Sequence, residues 1–275
     1  MYRLAFLLLF LSGCTNLFFF PDNILVHTPD EFGIKFKETE FEHKDGTKIR
    51  GWYLLAEGEA QGTILFFHGN AQNISTHIGS VYWLPKAGFN VFLLDYRGYG
   101  VSDGSPSVEG AISDIELSIK SFQNEKRPII VYAQSIGASL SVPTLAKLSK
   151  QKDLRVDGII LESPFASYQQ IAREKLGSFF LTWPLQYPLS LLISDQYAPD
   201  KTISQLPKVP LLMINSKDDT VVLPHHTLDL YSKANEPKEL WTYESAPHIG
   251  IFQKPETQGR LLEYLKVAVR KFNEF

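Results

Sequence analysis

The chain predicts an α/β fold, with a mainly parallel central sheet and helices on both faces, on three observations. Short continuous apolar runs recur along it, as strands buried on both faces require. Stretches with apolar residues at helical spacing alternate with those runs, which implies parallel strands joined by crossover helices. The run Pro128-Ile129-Ile130-Val131-Tyr132 leads directly through Ala133-Gln134-Ser135-Ile136-Gly137 into a helical stretch ending near Lys150. That junction demands an abrupt strand-to-helix turn with small neighbours two positions either side of the serine.

Size and composition fit this class. The 275 residues suit one large domain, and 44% hydrophobic with 21% charged residues can fill a substantial core. A net charge of −3 excludes nucleic acid as the expected partner. At the N-terminus, Arg3 precedes an unbroken apolar run, Leu4 to Leu11, followed by Leu11-Ser12-Gly13-Cys14. The run is too short for a membrane span of ~20 residues, and in outline it is a secretory signal peptide. It resembles the bacterial lipoprotein lipobox, with residues 1–13 removed and Cys14 lipidated. Cys14 is the single cysteine, so no disulfide forms within a monomer. The expected location is therefore an exported, membrane-anchored lipoprotein of the cell envelope. Thr15 after the cysteine, in place of the aspartate that usually retains such proteins at the inner membrane, points to the outer membrane. Residues 14–34, with Phe18, Phe19 and Phe20, read as a tether to the body.

The body, residues 35–275, divides in order. Lys35 to His43 and Lys48 to Leu55, around Asp45-Gly46, predict an antiparallel hairpin. Thr63 to Phe67 and Phe89 to Leu94 predict buried strands, with a helix expected over Ile78–Ala87 between them. Val108, Ile112, Ile115, Ile119 and Phe122 mark a helix. Strands follow at Ile129–Ala133, Val156–Leu161, Pro210–Ile214 and Glu239–Tyr243, and an amphipathic helix runs from about Pro255 to Phe272. A cap insertion is expected over about 166–200. Its center, Leu176 to Tyr197, is rich in aromatics and prolines and should lie over the C-terminal edge of the sheet, where ligands bind in such folds.

Ser135 on its turn is a candidate nucleophile, with a helix cap as the plain alternative. An activated serine needs a base, an orienting acid and donors for an oxyanion. In architectures of this kind the chain order is nucleophile, acid, base. The strand ending at Ile214 leads into Asn215-Ser216-Lys217-Asp218-Asp219-Thr220-Val221-Val222. Asp218 and Asp219 both qualify as the acid, and the spacing Asp219-x-x-Val222 favours Asp219. Among seven histidines, His27 and His43 precede the core, His77 lies in a loop, and His225 and His226 follow the acid too closely. His248, after the last predicted strand, is the expected base. Ile136 and Asn70, the latter in the loop Phe67-His68-Gly69-Asn70-Ala71, are expected to supply the oxyanion N–H groups, with His68 fixing that loop. No Cys/His cluster shows metal-ligand spacing, so neither metal nor cofactor is expected.

With these residues in view the chain resembles the small-cap α/β-hydrolases of the serine-aminopeptidase-like group, over roughly residues 40–272. The resemblance rests on His68-Gly69-Asn70-Ala71, Asp95-Tyr96-Arg97-Gly98-Tyr99-Gly100 with Ser102-Asp103-Gly104, Gln134-Ser135-Ile136-Gly137, Glu162-Ser163-Pro164-Phe165, and the Asp219 and His248 loops. Asp95 and Arg97 are assigned to loop architecture. The sequence departs from the pattern at Ala133, Ser216, Leu223 and Pro247. The resemblance implies a lipid-anchored serine hydrolase that cleaves a small-molecule or acyl substrate, a carboxylic ester or thioester, through an acyl-enzyme at Ser135. A peptidase or amidase of the same fold, and a non-catalytic surface binding lipoprotein, are the alternatives. Phe179, Phe180, Trp183, Tyr187 and Leu191 are expected either to line an apolar acyl pocket or to pack the cap onto the body.

Overall fold

The structure, a computed structural model, describes residues 18–151 and 154–273. Cys14 and the leader 1–13 lie outside the described residues. Eight strands form one sheet: β1 (Phe36–Glu42), β2 (Lys48–Leu54), β3 (Gly62–Phe67), β4 (Phe89–Leu94), β5 (Ile129–Gln134), β6 (Gly158–Glu162), β7 (Leu211–Ser216) and β8 (Lys238–Tyr243). Their spatial order is β8-β7-β6-β5-β3-β4-β2-β1. The β1–β2 hairpin pairs antiparallel, β2 meets β4 antiparallel, and every other neighbour is parallel.

Every residue of β3 through β7 is buried, which explains why those segments are predominantly apolar. Alternate side chains serve two cores. Leu65, Phe67, Val131, Ala133 and Leu161 face one layer, which holds helices α2 (Val108–Ser121), α3 (Ile136–Leu148) and α6 (Pro224–Lys233). Ile64, Phe66, Tyr132, Ile160 and Ile214 face the other, which holds α1 (Ile74–His77) and α7 (Pro255–Asn273). The α2 stripe Val108, Ile112, Ile115 and Ile119 is buried as its spacing requires, and Ser107 Oγ caps it by accepting from Gly110 N at 3.0 Å. α4 (Tyr168–Gly177) and α5 (Gln186–Ser190) belong to the region between β6 and β7.

The helix expected over Ile78–Ala87 is replaced by a single 3-10 turn, Ile78–Ser80, and then a series of turns. The amides of Val81, Leu84 and Ala87 bond to the carbonyls of Ile78, Val81 and Leu84. Three-residue turns bring Ile78, Val81 and Leu84, all fully buried, to one face. Pro85, which has no N–H, and Gly79 also weigh against a regular helix.

The stretch read as a tether packs on the body over residues 18–34. Phe19 is buried, and Phe20–Pro21 pair in parallel with Ala71–Gln72. Asn73 Nδ2 donates to the carbonyls of Asp22 and Ile24 at 2.8 Å. This segment therefore braces the loop that follows β3.

Candidate active site

Parallel pairing aligns the ends of β3, β5, β6 and β7: Phe67 lies opposite Ala133, Gln134 opposite Glu162, and Glu162 opposite Ile214. Four loops consequently emerge at one rim, carrying Asn70, Ser135, Ser163 and Asp219. Ser135 occupies the turn between β5 and α3 with φ 53° and ψ −120°, a conformation held only when the surroundings over-determine it. Its N–H donates to Glu162 O at 2.8 Å. A Cβ on Gly137 would stand 2.4 Å from the carbonyl oxygens of both Phe67 and His68. Glycine is thus required where α3 crosses the end of β3.

The structure brings Ser135, Asp219 and His248 together from stretches 113 and 29 residues apart. His248 Nε2 lies 2.9 Å from Ser135 Oγ, and Nδ1 lies 2.7 Å from Asp219 Oδ2. Asp219 Oδ1 accepts from the amides of Val221 and Val222 at 2.9 and 3.0 Å. Burial alone would raise the Asp219 carboxyl. The bond from His248, its charge, and the two amides outweigh burial and hold the group below its usual range, hence ionised. The carboxylate then fixes the proton of His248 on Nδ1 and leaves Nε2 free to accept from the serine. Of the two aspartates, Asp218 is exposed and Asp219 is buried against the imidazole. Ser216 Oγ accepts from Ala246 N at 2.9 Å and ties the Asp219 loop to the loop carrying His248.

Asn70 and Ile136 both line the cavity above Ser135. The loop after β3 is close enough that a Cβ on Gly69 would stand 3.7 Å from Ser135 Cβ. Asn70 is held by Phe20 N, which donates to its Oδ1 at 3.0 Å, and by Tyr99 Oη, which donates to its carbonyl at 2.6 Å. His68 is fully buried, and burial together with the neighbouring His77 pushes its pKa well down. Neutral, it donates Nδ1–H to Gly69 O at 2.7 Å. Asp95 accepts from Ile74 N at 2.9 Å, and Arg97 pairs with Asp114. Both serve the loops and stand outside the cavity lining.

Sequence reasoning missed three features. Glu162, at the end of β6, is buried and accepts from Tyr132 Oη at 2.5 Å, Gln134 Nε2 at 2.7 Å and Ile251 N at 3.4 Å. It links the strand that precedes Ser135 to the segment just past His248. A carboxylate closing an apolar strand was the available signal. The actual lining of the cavity was the second. The cavity measures about 820 Å³ and is lined by Phe18, Phe20, Phe165, Ile171, Leu176 and Val222, among other apolar groups, with Ser135 and His248. Phe179, Phe180, Trp183, Tyr187 and Leu191, expected to line it or to pack the cap, do not line it, and Tyr187 lies under the Arg173 guanidinium of α4 at 4.8 Å. All five are exposed and absent from the lining. The cap turns Leu176, Leu189 and Leu192 inward instead.

The third is a cluster drawn from separate elements, Glu174 on α4 with His225 and His226 on α6, whose ligand atoms lie within 4.8 Å of one another. Its hydrogen bonds argue against a metal. Ala166 N donates to His226 Nδ1 at 3.2 Å, so Nε2 carries the proton and donates to Glu174 at 2.9 Å. A metal ion would need that lone pair, with Nδ1–H facing an acceptor. The cluster clamps α6 to α4.

Comparison with known proteins agrees with this fold. A family described as "Serine aminopeptidase, S33" matches residues 58–205. The protein YfhR of Escherichia coli K12 is 34% identical over 247 residues, covering 86% of this chain and 81% of YfhR. A protein of Saccharomyces cerevisiae described as a membrane protein is 29% identical, covering 81% of this chain and 77% of its own. Among the described residues of this chain, no helix is long and apolar enough to cross a membrane. An esterase of Pyrococcus furiosus superposes with a TM-score of 0.71 at 24% identity, over 91% of this chain and 98% of that one. Sheet order, the family match over residues 58–205 and sequence similarity together place the chain in the serine aminopeptidase family of the α/β hydrolases.

Proposed function

We propose that this chain is a serine hydrolase that cleaves a carboxylic ester or thioester through an acyl-enzyme on Ser135, anchored to the cell envelope through Cys14. The observation carrying the reading is the hydrogen-bonded path from Asp219 through His248 to Ser135 Oγ at the floor of an apolar cavity. Ser135 Oγ attacks the acyl carbonyl while its proton passes to His248 Nε2. The oxyanion then forms against the amides of Ile136 and Asn70. Collapse expels the alcohol or thiol, which takes the proton from His248. Water, deprotonated by the same imidazole, releases the acid and restores the serine.

The cavity lining favours an acyl ester over a peptide with a free amino terminus. Among the described residues Lys175 is the charged side chain in it, and no carboxylate lines it to pair with an ammonium group. A fluorophosphonate probe should label the wild-type chain and leave Ser135→Ala unlabelled. Equal labelling of both, or ester turnover independent of Ser135, would sink the reading. The anchor is tested separately: labelled palmitate should enter the wild-type protein and not Cys14→Ala.

A further inference from the structure

We propose that the outer face of the cap docks on a lipid bilayer and presents the cavity mouth to it, so that the substrate is an acyl ester drawn from the membrane phase. The inference rests on the anchored hydrolase reading for its chemistry and on the surface for its geometry. Residues 176–194 contain no charged side chain, whereas an ordinary soluble surface is about a quarter to a third charged. Within this stretch Phe179, Phe180, Leu181, Trp183, Tyr187 and Leu191 are all exposed, Phe180 at 87% and Trp183 at 60%. Isolated exposed apolar residues are ordinary, but a contiguous uncharged group of them marks an interaction surface. Its mixture of Trp, Tyr and Phe suits the headgroup boundary.

Position selects the bilayer over a second copy of the chain. The exposed residues Phe20, Leu189, Leu192 and Val221 also line the catalytic cavity, so the apolar face runs up to its mouth. The N-terminal segment arrives at the same place. Phe18 lines the cavity and packs edge-on against Tyr168 at 5.5 Å. Cys14 precedes Phe18 by four residues, and four extended residues span at most ~14 Å. An acyl group on Cys14 would hold the mouth within that distance of the membrane, too close for the apolar cap to remain in water beside it.

Trp183 reports directly on this. Trp52, Trp83 and Trp241 are buried, leaving Trp183 as the exposed tryptophan of the four. The full chain, in a Ser135→Ala background to prevent turnover, would be reconstituted into phosphatidylcholine vesicles carrying acyl-chain-brominated lipid. Quenching of tryptophan emission is expected, and its loss in Trp183→Phe. With Ser135 intact, the double variant Phe179→Ser/Phe180→Ser should lose ~10-fold or more in kcat/KM on a vesicle-embedded ester, since interfacial binding scales with buried apolar area. The same variant should keep its rate on a water-soluble short-chain ester. Trp183 quenched by aqueous iodide but not by brominated lipid would overturn the proposal. So would protection of Trp183 without lipid at concentrations where the chain dimerises. Brominated-lipid quenching with no Ser135-dependent hydrolysis would leave docking standing and remove the hydrolase reading. Hydrolysis of the soluble ester without lipid quenching would do the reverse.

Discussion

Asp219→Asn offers the sharpest test of the site because the structure dictates which way the new amide must face. Asp219 Oδ1 accepts two amide protons, from Val221 and Val222, while Oδ2 accepts from His248. If the amide NH₂ pointed toward Val221 and Val222, donor would meet donor. The amides of Val221 and Val222 would be left unsatisfied in a buried position, at a cost of ~1–3 kcal/mol each. The carbonyl oxygen therefore stays with the two amides and the NH₂ turns to His248 Nδ1. That nitrogen must now accept, which moves the imidazole proton to Nε2, facing Ser135. The imidazole keeps its place but cannot take the serine proton. Loss of the correct tautomer at such a site lowers kcat by ~10⁴-fold, about 5.5 kcal/mol of barrier. The assay is steady-state hydrolysis of a soluble ester together with the rate of fluorophosphonate labelling, with circular dichroism to confirm the fold. Asp218→Asn is the control, since Asp218 is exposed and should leave both rates unchanged. Asp219→Asn activity within tenfold of wild type, or an equal loss in Asp218→Asn, would refute the reasoning.

Three further outcomes follow from particular contacts. Gly137→Ala places a Cβ 2.4 Å from two backbone oxygens. It should destabilise the fold by ~3 kcal/mol, read as a lower midpoint in urea at unchanged slope. Burial raises the Asp95 carboxyl to about 7, above its unfolded value of ~3.9. The folded chain therefore holds a proton that the unfolded chain releases, and this contribution is present at acid pH and lost as pH climbs from about 4 through 7. It is worth on the order of 4 kcal/mol, and Asp95→Asn should flatten that part of the urea stability profile against pH. Ala172→Phe, at a small side chain lining the cavity, should leave short acyl esters unaffected. It should reduce kcat/KM for long ones by ~0.8 kcal/mol per excluded methylene, measured across an acyl-length series.

Much of the fold was legible because its interior strands are buried on both faces. Such strands are predominantly apolar, and all five were expected as strands, Thr63–Phe67 as a continuous apolar run and two others despite the polar residues Asn90 and Asp157. The Ile78–Ala87 segment was not, since a three-residue recurrence of buried side chains is hard to distinguish from helical spacing over so short a stretch. At the site, Ser135 was readable from the small residues its turn requires, and His248 and Asp219 from chain order after strands. The clamp of Glu174 with His225 and His226 was invisible because its members come from two helices about fifty residues apart. Glu162 stood in a quoted motif, yet its role depends on what surrounds the end of β6.

The chain alone indicated most of the buried strands and helices, the 78–87 segment excepted, and the loops from which the three hydrogen-bonded side chains come. Each of those properties is local: apolar periodicity, a glycine where no Cβ fits, a polar residue at a strand end. Only the tertiary structure decided which apolar residues face the cavity and which face outward. The cap shows this plainly, since half-buried Leu176 lines the cavity while Leu181 and Leu191 are exposed and absent from its lining. Apolar character specifies that a side chain leaves water when it can, and the packing of distant elements decides whether there is anything to cover it.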